Sequence, residues 1–246
     1  EIVELFTETL LPTFEGEQAR LDKIDLWYMN EGDPVTVPHG AGRELKKLAE
    51  LSSVPWLTLV VTNVAQAMIV DGYRSPGLTG PGVEDGAASA AEMGGAAGWT
   101  LFRENGMEKR QASIHRTMLA YGVCYGMALP GVNPLTGAAT ATMRGFSPRH
   151  AMAFYADPVV DEFPQVAIRK MSSTSFRVID DRNVYELTGK SGASGTEWKV
   201  TSTSSHGLGL CPVVRFTNLL DLEGRVTGEV EPYIPLAQRI SKTAYD

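Results

Sequence analysis

Residues 108–129 read EKRQASIHRTMLAYGVCYGMAL, and the spacing of apolar residues changes inside this stretch. Before Gly122, Ile114 and Met118 recur at a helical interval, whereas an apolar run typical of a strand begins at Val123. Glycine is the residue most often found just past the end of a helix. The stretch therefore predicts a helix that ends at Gly122 and a strand that begins at Val123.

The chain before Gly122 reads as helical. A first amphipathic helix is expected to stop at Pro12, because proline disrupts a helix interior. Further helices are predicted over 15–29, 43–51, 54–70 and 108–121, and an Ala-rich stretch at 87–97 favours one that its glycines weaken. The helix over 54–70 is apolar nearly all round, which predicts burial on most faces. Its predicted core contacts are Trp56, Leu57, Val60, Val61, Val64 and Met68.

The chain after Gly122 reads as short strands separated by turns. Strands are predicted over 123–129, 138–143, 150–155, 166–171, 175–179, 184–187, 197–200 and 213–216, and a last helix over 235–246. Turns are predicted at 130–134, 180–183 and 189–195. The predicted fold class is α+β, with N-terminal helices, a mainly antiparallel β region and a C-terminal helix.

Composition and charge exclude several classes of protein. The chain has 246 residues, 43% of them hydrophobic, which is enough to bury a core. Its longest strongly apolar stretch is Val54 to Val61, far short of the ~20 residues of a membrane-spanning helix, so we expect no membrane partner. The net charge of −7 resides in residues 1–33, and the remaining chain is neutral. This balance argues against nonspecific clamping of nucleic acid, which needs a basic surface.

Three fragments imitate catalytic motifs without completing them. Gly189-Lys190-Ser191 has the tail of a phosphate-binding loop, but Val184 stands where its first glycine is required. The Gly207-Leu208-Gly209 fragment lacks the third glycine of a dinucleotide site, and Thr196 spoils a nucleophile elbow at Ser194. We predict that Lys190 and Ser191 lie in an exposed hairpin turn and bind no phosphate.

Histidine and cysteine residues form no recognisable site in the sequence. His39, His115, His150 and His206 are scattered, and the spacing of Cys124 and Cys211 matches no metal or redox motif. Two reduced core thiols are the expected state, which favours a reducing compartment such as cytoplasm. We therefore expect no catalytic, cofactor-binding or metal-binding residues and no cofactor.

Four passages resemble the portal proteins of long-tailed bacteriophages with siphophage-like morphology, especially those of actinobacteria. The first is 21–32, with Trp27 and Tyr28 before a polar turn, and the second is 59–74, which ends Val-Asp-Gly-Tyr-Arg. The third is 99–122, with Glu-Asn-Gly-Met at 104–107, and the fourth is 207–218, followed by the most specific match at 228–243. Cys211 and Arg215 replace the Val and Pro that are expected there.

The resemblance implies a structural subunit rather than an enzyme. Portals form a ring, typically of twelve subunits, at one capsid vertex of the virion, and double-stranded DNA passes through it during packaging and ejection. The implied partners are other copies of the chain, the major capsid protein, the large terminase subunit, a head–tail adaptor and the DNA. Assembly would take place in the host cytoplasm.

The same resemblance divides the chain into three parts. Residues 1–122 would be the mainly helical part of the portal wing, 123–228 its β-rich part, and 229–246 the start of a stem helix, with stem, clip and crown expected beyond Asp246. The first residue is Glu1 rather than Met, so we expect a trimmed N-terminus. Two alternatives remain open from the sequence: a hydrolase-like α+β enzyme and another head–tail connector subunit.

Overall fold

The protein folds as helices followed by antiparallel sheets and a final helix, which confirms the predicted α+β class. The structure is a computed structural model that describes residues 1–32, 37, 40, 42–73, 85–133, 137–192 and 195–245. The helices are α1 Ile2–Leu5, a π-helical segment Phe6–Leu10, α2 Leu11–Tyr28, α3 Arg43–Ser52, α4 Trp56–Ala67, α5 Asp85–Glu104, α6 Met107–Tyr121 and α7 Ile234–Tyr245, with a 3₁₀ turn at Glu231–Tyr233.

The N-terminal helix does not stop at Pro12, so that prediction was wrong. The chain runs from α1 through the π-helical segment into α2 without interruption, and the predicted helix over 15–29 is part of α2. The Leu11 N–H donates to the Phe6 carbonyl, five residues back, immediately before Pro12. A π-turn widens the helix where proline lacks an N–H and its ring crowds the preceding turn, so the helix continues.

Helix α4 is shorter and more exposed than its composition predicts. It covers Trp56–Ala67, and it buries a single stripe of Leu57, Val61 and Ala65, one residue per turn. Met68 is partly buried against the same cluster, as predicted. The predictions for Trp56, Val60 and Val64 were wrong, because the helices that pack on α4 cover only one of its sides and leave these side chains exposed.

The strands form two larger sheets, in both of which every pair is antiparallel. The first sheet has the order β2-β1-β8 and the second the order β3-β4-β5-β6-β7, with a separate β9–β10 pair that the sequence pattern did not predict. The strands are β1 Val123–Val132, β2 Ala139–Phe146, β3 Ala151–Phe154, β4 Val166–Ser172, β5 Ser175–Ile179, β6 Asn183–Gly192, β7 Gly195–Ser205, β8 Val213–Thr217, β9 Leu219–Leu220 and β10 Val226–Thr227.

Strands extend into two of the predicted turns. Strand β1 continues through Pro130, which pairs with Ala141 of β2. Strand β8 pairs only with 123–127, so the missing N–H of this proline faces an unpaired edge. Strands β6 and β7 extend into the region predicted as the turn 189–195, and residues 193–194 of that turn lie outside the described residues.

Three buried clusters hold these elements together. The first joins α2, α4, α6 and α7, and the second packs the N-terminal helix on one face of the five-stranded sheet. The third lies between the two larger sheets, from Val123 and Val213 on one side to Ala167 and Ile179 on the other. The five-stranded sheet therefore has the N-terminal helix on one face and the three-stranded sheet on the other.

Candidate interaction surfaces

Residues from the passages 99–122, 207–218 and 228–243 meet at the junction between α6 and β1. Gly122 ends α6 with φ +90°, and its carbonyl accepts a hydrogen bond from the Asn218 N–H at 2.9 Å. The Asn218 amide donates to Glu229 Oε1 at 2.9 Å, and the Glu229 N–H donates to the Leu119 carbonyl at 2.7 Å. A Cβ on Gly228 would lie 2.3 Å from the Ala120 carbonyl oxygen. The α6–β1 corner, the end of β8 and the start of the last helix thus fix one another.

The passage at 99–122 also fastens the helical part to the sheet. Between α5 and α6, the Asn105 side chain donates to the Ala141 carbonyl at 2.8 Å and accepts from the Met143 N–H at 2.9 Å. An asparagine side chain thereby bonds to the edge of β2 as another strand would. Trp99 packs against Phe102 and Tyr73 in an aromatic cluster, which brings the passages 59–74 and 99–122 together.

Arginine side chains connect the N-terminal helix to the rest of the chain. Arg149 donates to Asp25 at 2.6 Å and to Asp22 at 2.9 Å, and Asp25 also accepts from the Tyr121 hydroxyl at 2.5 Å. Burial, followed by the hydrogen bond that its hydroxyl donates to Asp25, raises the pKa of Tyr121 far above its ordinary value. Arg20 donates to Glu231 at 2.8 Å and to Glu17. Part of the acidic excess of residues 1–33 is therefore neutralised locally.

Helices α4 and α7 form an exposed apolar groove, which we call the α4–α7 groove. Trp56 and Val60 of α4 face Leu236 and Ile240 of α7, with Tyr233 at one end, around a cavity of about 330 Å³. All five side chains are exposed at their outer surfaces. Neighbouring α3 adds the exposed leucines 45, 48 and 51. Apolar surface of this extent typically marks a protein interaction site.

A second apolar cavity lies on the outer face of the three-stranded sheet. It measures about 440 Å³ and is bordered by Met107 of α6, Met143 of β2, Val214 and Phe216 of β8, and Leu208 in the loop before β8. Phe216 and Leu208 remain exposed. The molecule thus carries two separate apolar surfaces on different elements.

The described residues that imitate catalytic motifs lie on different elements. Lys190 and Ser191 are exposed, as predicted, but they pair with Glu197 and Thr196 in the β6–β7 ladder rather than forming a turn. Ser194 lies outside the described residues. The segment around Gly207 and Gly209 is an irregular loop with no helix after it.

Histidine and cysteine side chains occupy structural positions. His115 Nδ1 lies 3.1 Å from the Met68 carbonyl oxygen, and His206 Nε2 lies 3.1 Å from that of Asp180. His150 is exposed, and His39 lies outside the described residues. Cys124 and Cys211 are free and buried, as predicted. In the part of the chain that the structure describes, no three side chains of His, Cys, Asp or Glu gather as a metal site.

By length and mean hydropathy alone, the helical stretch 43–67 could cross a membrane. It consists of α3 and α4 with a break at 53–55, and α4 has 12 residues. A 12-residue helix is about 18 Å long, whereas the hydrocarbon core of a bilayer measures about 30 Å. The stretch is therefore weak evidence for a membrane span.

Comparison with known proteins connects these features to one family. A search of curated proteins finds no match to the chain. A family model described as phage portal protein, SPP1 Gp6-like, matches residues 9–246. This match includes all four quoted passages, the α6–β1 corner and both apolar surfaces, so the chain belongs to the phage portal protein family.

Proposed function

We propose that the chain is a subunit of the portal ring, through which double-stranded DNA is packaged into the capsid and later ejected. The observation that carries this proposal is the family match over 9–246. The family implies a capsid-associated homo-oligomer of the virion. Its proposed partners are further copies of the chain, the major capsid protein, the large terminase subunit and a head–tail adaptor.

Within that ring we assign the described residues before 229 to the outer wing. Residues 1–122 and 123–228 are its helical and β-rich parts, and 229–246 begin the stem. The close contacts at Gly122 and Gly228 support a rigid connection between these parts. The packing of the N-terminal helix on the five-stranded sheet supports a single folded wing.

The proposed role needs no active site, and ATP consumption during packaging would belong to the terminase. We predict that titration of ATP and magnesium into this protein gives no binding heat, because Lys190 lies in a strand rather than before a helix N-terminus. Lys199→Ala, in the neighbouring strand, is the matched control for Lys190→Ala. Saturable micromolar binding that is lost in Lys190→Ala and kept in the control would contradict the non-enzymatic role.

The assembly is tested on the full-length protein by light scattering and electron microscopy. We expect a closed ring of about twelve subunits, since contacts between unlike faces form a ring when the rotation between neighbours closes after a whole number of subunits without a rise along the axis. A stable monomer at micromolar concentration and physiological salt would overturn the portal proposal.

A further inference from the structure

Arginine side chains project into the gap between the two larger sheets. Arg169 on β4 lies directly opposite Arg177 on β5, and Arg177 lies opposite Glu186 on β6. Side chains alternate between the two faces of a strand, so these residues share the face that carries Ala167 and Ile179. That face is the one turned toward the three-stranded sheet.

The three-stranded sheet supplies a third guanidinium from the other side of the gap. Arg144 on β2 lies opposite Met127 of β1, whose side chain is buried between the sheets. The Arg169 guanidinium lies 4.2 Å from the centre of the Phe146 ring. Phe146 is two residues after Arg144 on β2, so the two side chains share one face of that strand. We call Arg144, Arg169 and Arg177 the cationic cleft.

The cationic cleft holds more positive than negative charge. Arg177 Nη2 donates to Glu186 Oε1 at 2.6 Å, and no other ion pair to the cleft occurs among the described residues. The Nε of Arg177 is buried, and within the described ranges it has no hydrogen-bond partner. Burial, and then the charges of Arg177 and Arg144, lower the pKa of Arg169. Like charges opposite each other on a sheet are destabilising, so a bound anion would stabilise this arrangement.

The position of the cleft between two sheets favours an anionic side chain over a nucleic acid backbone. A cavity of about 280 Å³ adjoins Arg177 and Glu186 and is bordered by Ser202, Ser204 and His206. Its volume accommodates a carboxylate at the end of a side chain beside Arg177, the one cleft arginine that borders it. Arg169 and Arg177 are half-buried between sheets, whereas contacts to duplex DNA need cations on an open surface that can follow successive phosphates.

An acidic surface of the same chain lies on the opposite side of the five-stranded sheet. The N-terminal helix packs on that sheet through Phe6 and Phe14, and it exposes Glu4, Glu8 and Glu15, which we call the acidic stripe. No Lys or Arg side chain of the described residues forms an ion pair with the stripe. Because the sheet separates stripe and cleft, they cannot meet within one subunit.

We propose that the cationic cleft of one subunit binds the carboxylates of the acidic stripe on the next subunit. The inference rests on the proposed homo-oligomer, and it identifies two of the unlike faces that contact each other around the ring. Charge complementarity of this kind fixes the register and direction of the contact between copies.

Charge reversal in the full-length protein tests the contact. We expect Arg169→Glu, and separately the double variant Glu4→Lys/Glu8→Lys, to weaken subunit association about tenfold or more by light scattering across a protein dilution series. Combining the three substitutions in one chain should restore association, because the reversed charges again face opposite charges. Raising the salt concentration should weaken the wild-type contact as well.

Matched controls separate the contact from folding. Arg182→Glu and Glu162→Lys reverse exposed charges outside the cleft and the stripe, and both should leave association unchanged. Arg169→Gln removes the charge without inserting a carboxylate between the sheets, and it should weaken association while keeping the wild-type circular dichroism spectrum. If Arg169→Glu fails to fold, Arg169→Gln carries the test.

Two results would overturn the inference and leave the ring proposal intact. The first arises when the wild type forms a ring. Either Arg169→Gln, Arg169→Glu and Glu4→Lys/Glu8→Lys all associate as strongly as the wild type, or they lose association and the variant that combines Arg169→Glu with Glu4→Lys/Glu8→Lys does not regain it. The other is a fall in duplex DNA affinity in Arg169→Gln with unchanged association, which would assign the cleft to phosphate. A monomeric wild-type protein would instead overturn the proposed function itself.

Discussion

Val61 and Val60 are adjacent on α4, but they occupy opposite environments. Val61 is 0% exposed within the cluster of α2, α4, α6 and α7, whereas Val60 is 45% exposed in the α4–α7 groove. Both residues are valine, so they have the same side chain and the same intrinsic helix propensity. Any difference between their variants therefore measures burial alone.

We expect Val61→Asp to lower the free energy of unfolding by about 3–5 kcal/mol, because it buries an unpaired charge. Val60→Asp should cost less than about 1 kcal/mol, since its carboxylate stays in water. Urea unfolding followed by circular dichroism measures both. Equal losses in the two variants would show that α4 is not packed by the stripe of Leu57, Val61 and Ala65.

The buried thiols give a second prediction at the scale of single residues. Burial raises the pKa of Cys124 from its ordinary 9.0 to about 11 and that of Cys211 to about 12. Folding therefore favours the neutral thiols. Their contribution to stability is complete below about pH 9 and is lost as the pH rises toward 11 and 12.

We expect the free energy of unfolding to fall between about pH 9 and pH 11 more steeply in the wild type than in a Cys124→Ala/Cys211→Ala variant. The comparison cancels the titration of buried tyrosines, which both proteins share. Both thiols should also resist alkylation until the chain unfolds. Identical pH slopes in the two proteins would show that the thiols are hydrated.

Among the elements, the α6–β1 corner controls how the helices meet the sheets. Gly122 has φ +90°, and a Cβ there would lie 2.8 Å from backbone atoms of Thr227 and Gly228. Gly106, at the start of α6, also has positive φ, at +62°, but a Cβ there would meet open space. Alanine variants at the two positions therefore separate the free-energy cost of a strained backbone from the cost of steric overlap.

Gly122→Ala should lower the free energy of unfolding by more than about 2 kcal/mol, because it adds an overlap with backbone to the strain of positive φ. Gly106→Ala should cost about 1 kcal/mol from strain alone. Thermal unfolding of the two variants measures the difference. A similar loss in both would mean that the segment at 227–228 does not press against the corner.

At the scale of the whole molecule, the α4–α7 groove is an exposed surface that subunit association can bury. The α4–α7 groove presents apolar side chains to water in the single subunit, and subunit association would remove that surface from water. Leu236 lies in the groove, whereas Leu222 is 90% exposed in a turn and does not line the groove. The pair provides a matched test of the groove as a contact surface.

Leu236→Glu should weaken association of the full-length protein about tenfold or more while leaving the folded subunit intact, because it places a charge in a dehydrated contact. Leu222→Glu should leave both association and folding unchanged. Light scattering measures association, and circular dichroism reports folding. Normal association of Leu236→Glu would show that the groove remains outside the subunit contacts.

The sequence determined the α+β class, the boundary at Gly122 and most of the strands, because these depend on the local spacing of apolar residues and on glycine at a helix end. It also pointed to the family, because the passages that resemble portal proteins are recognised from their residue types alone. Only the tertiary structure decided that the helix passes Pro12 and that Val60 is exposed while Val61 is buried. It also decided that Arg144, Arg169 and Arg177 lie on the facing sides of two sheets. These outcomes depend on which elements pack together and on strand register, and the chain specifies both through contacts between residues far apart in sequence.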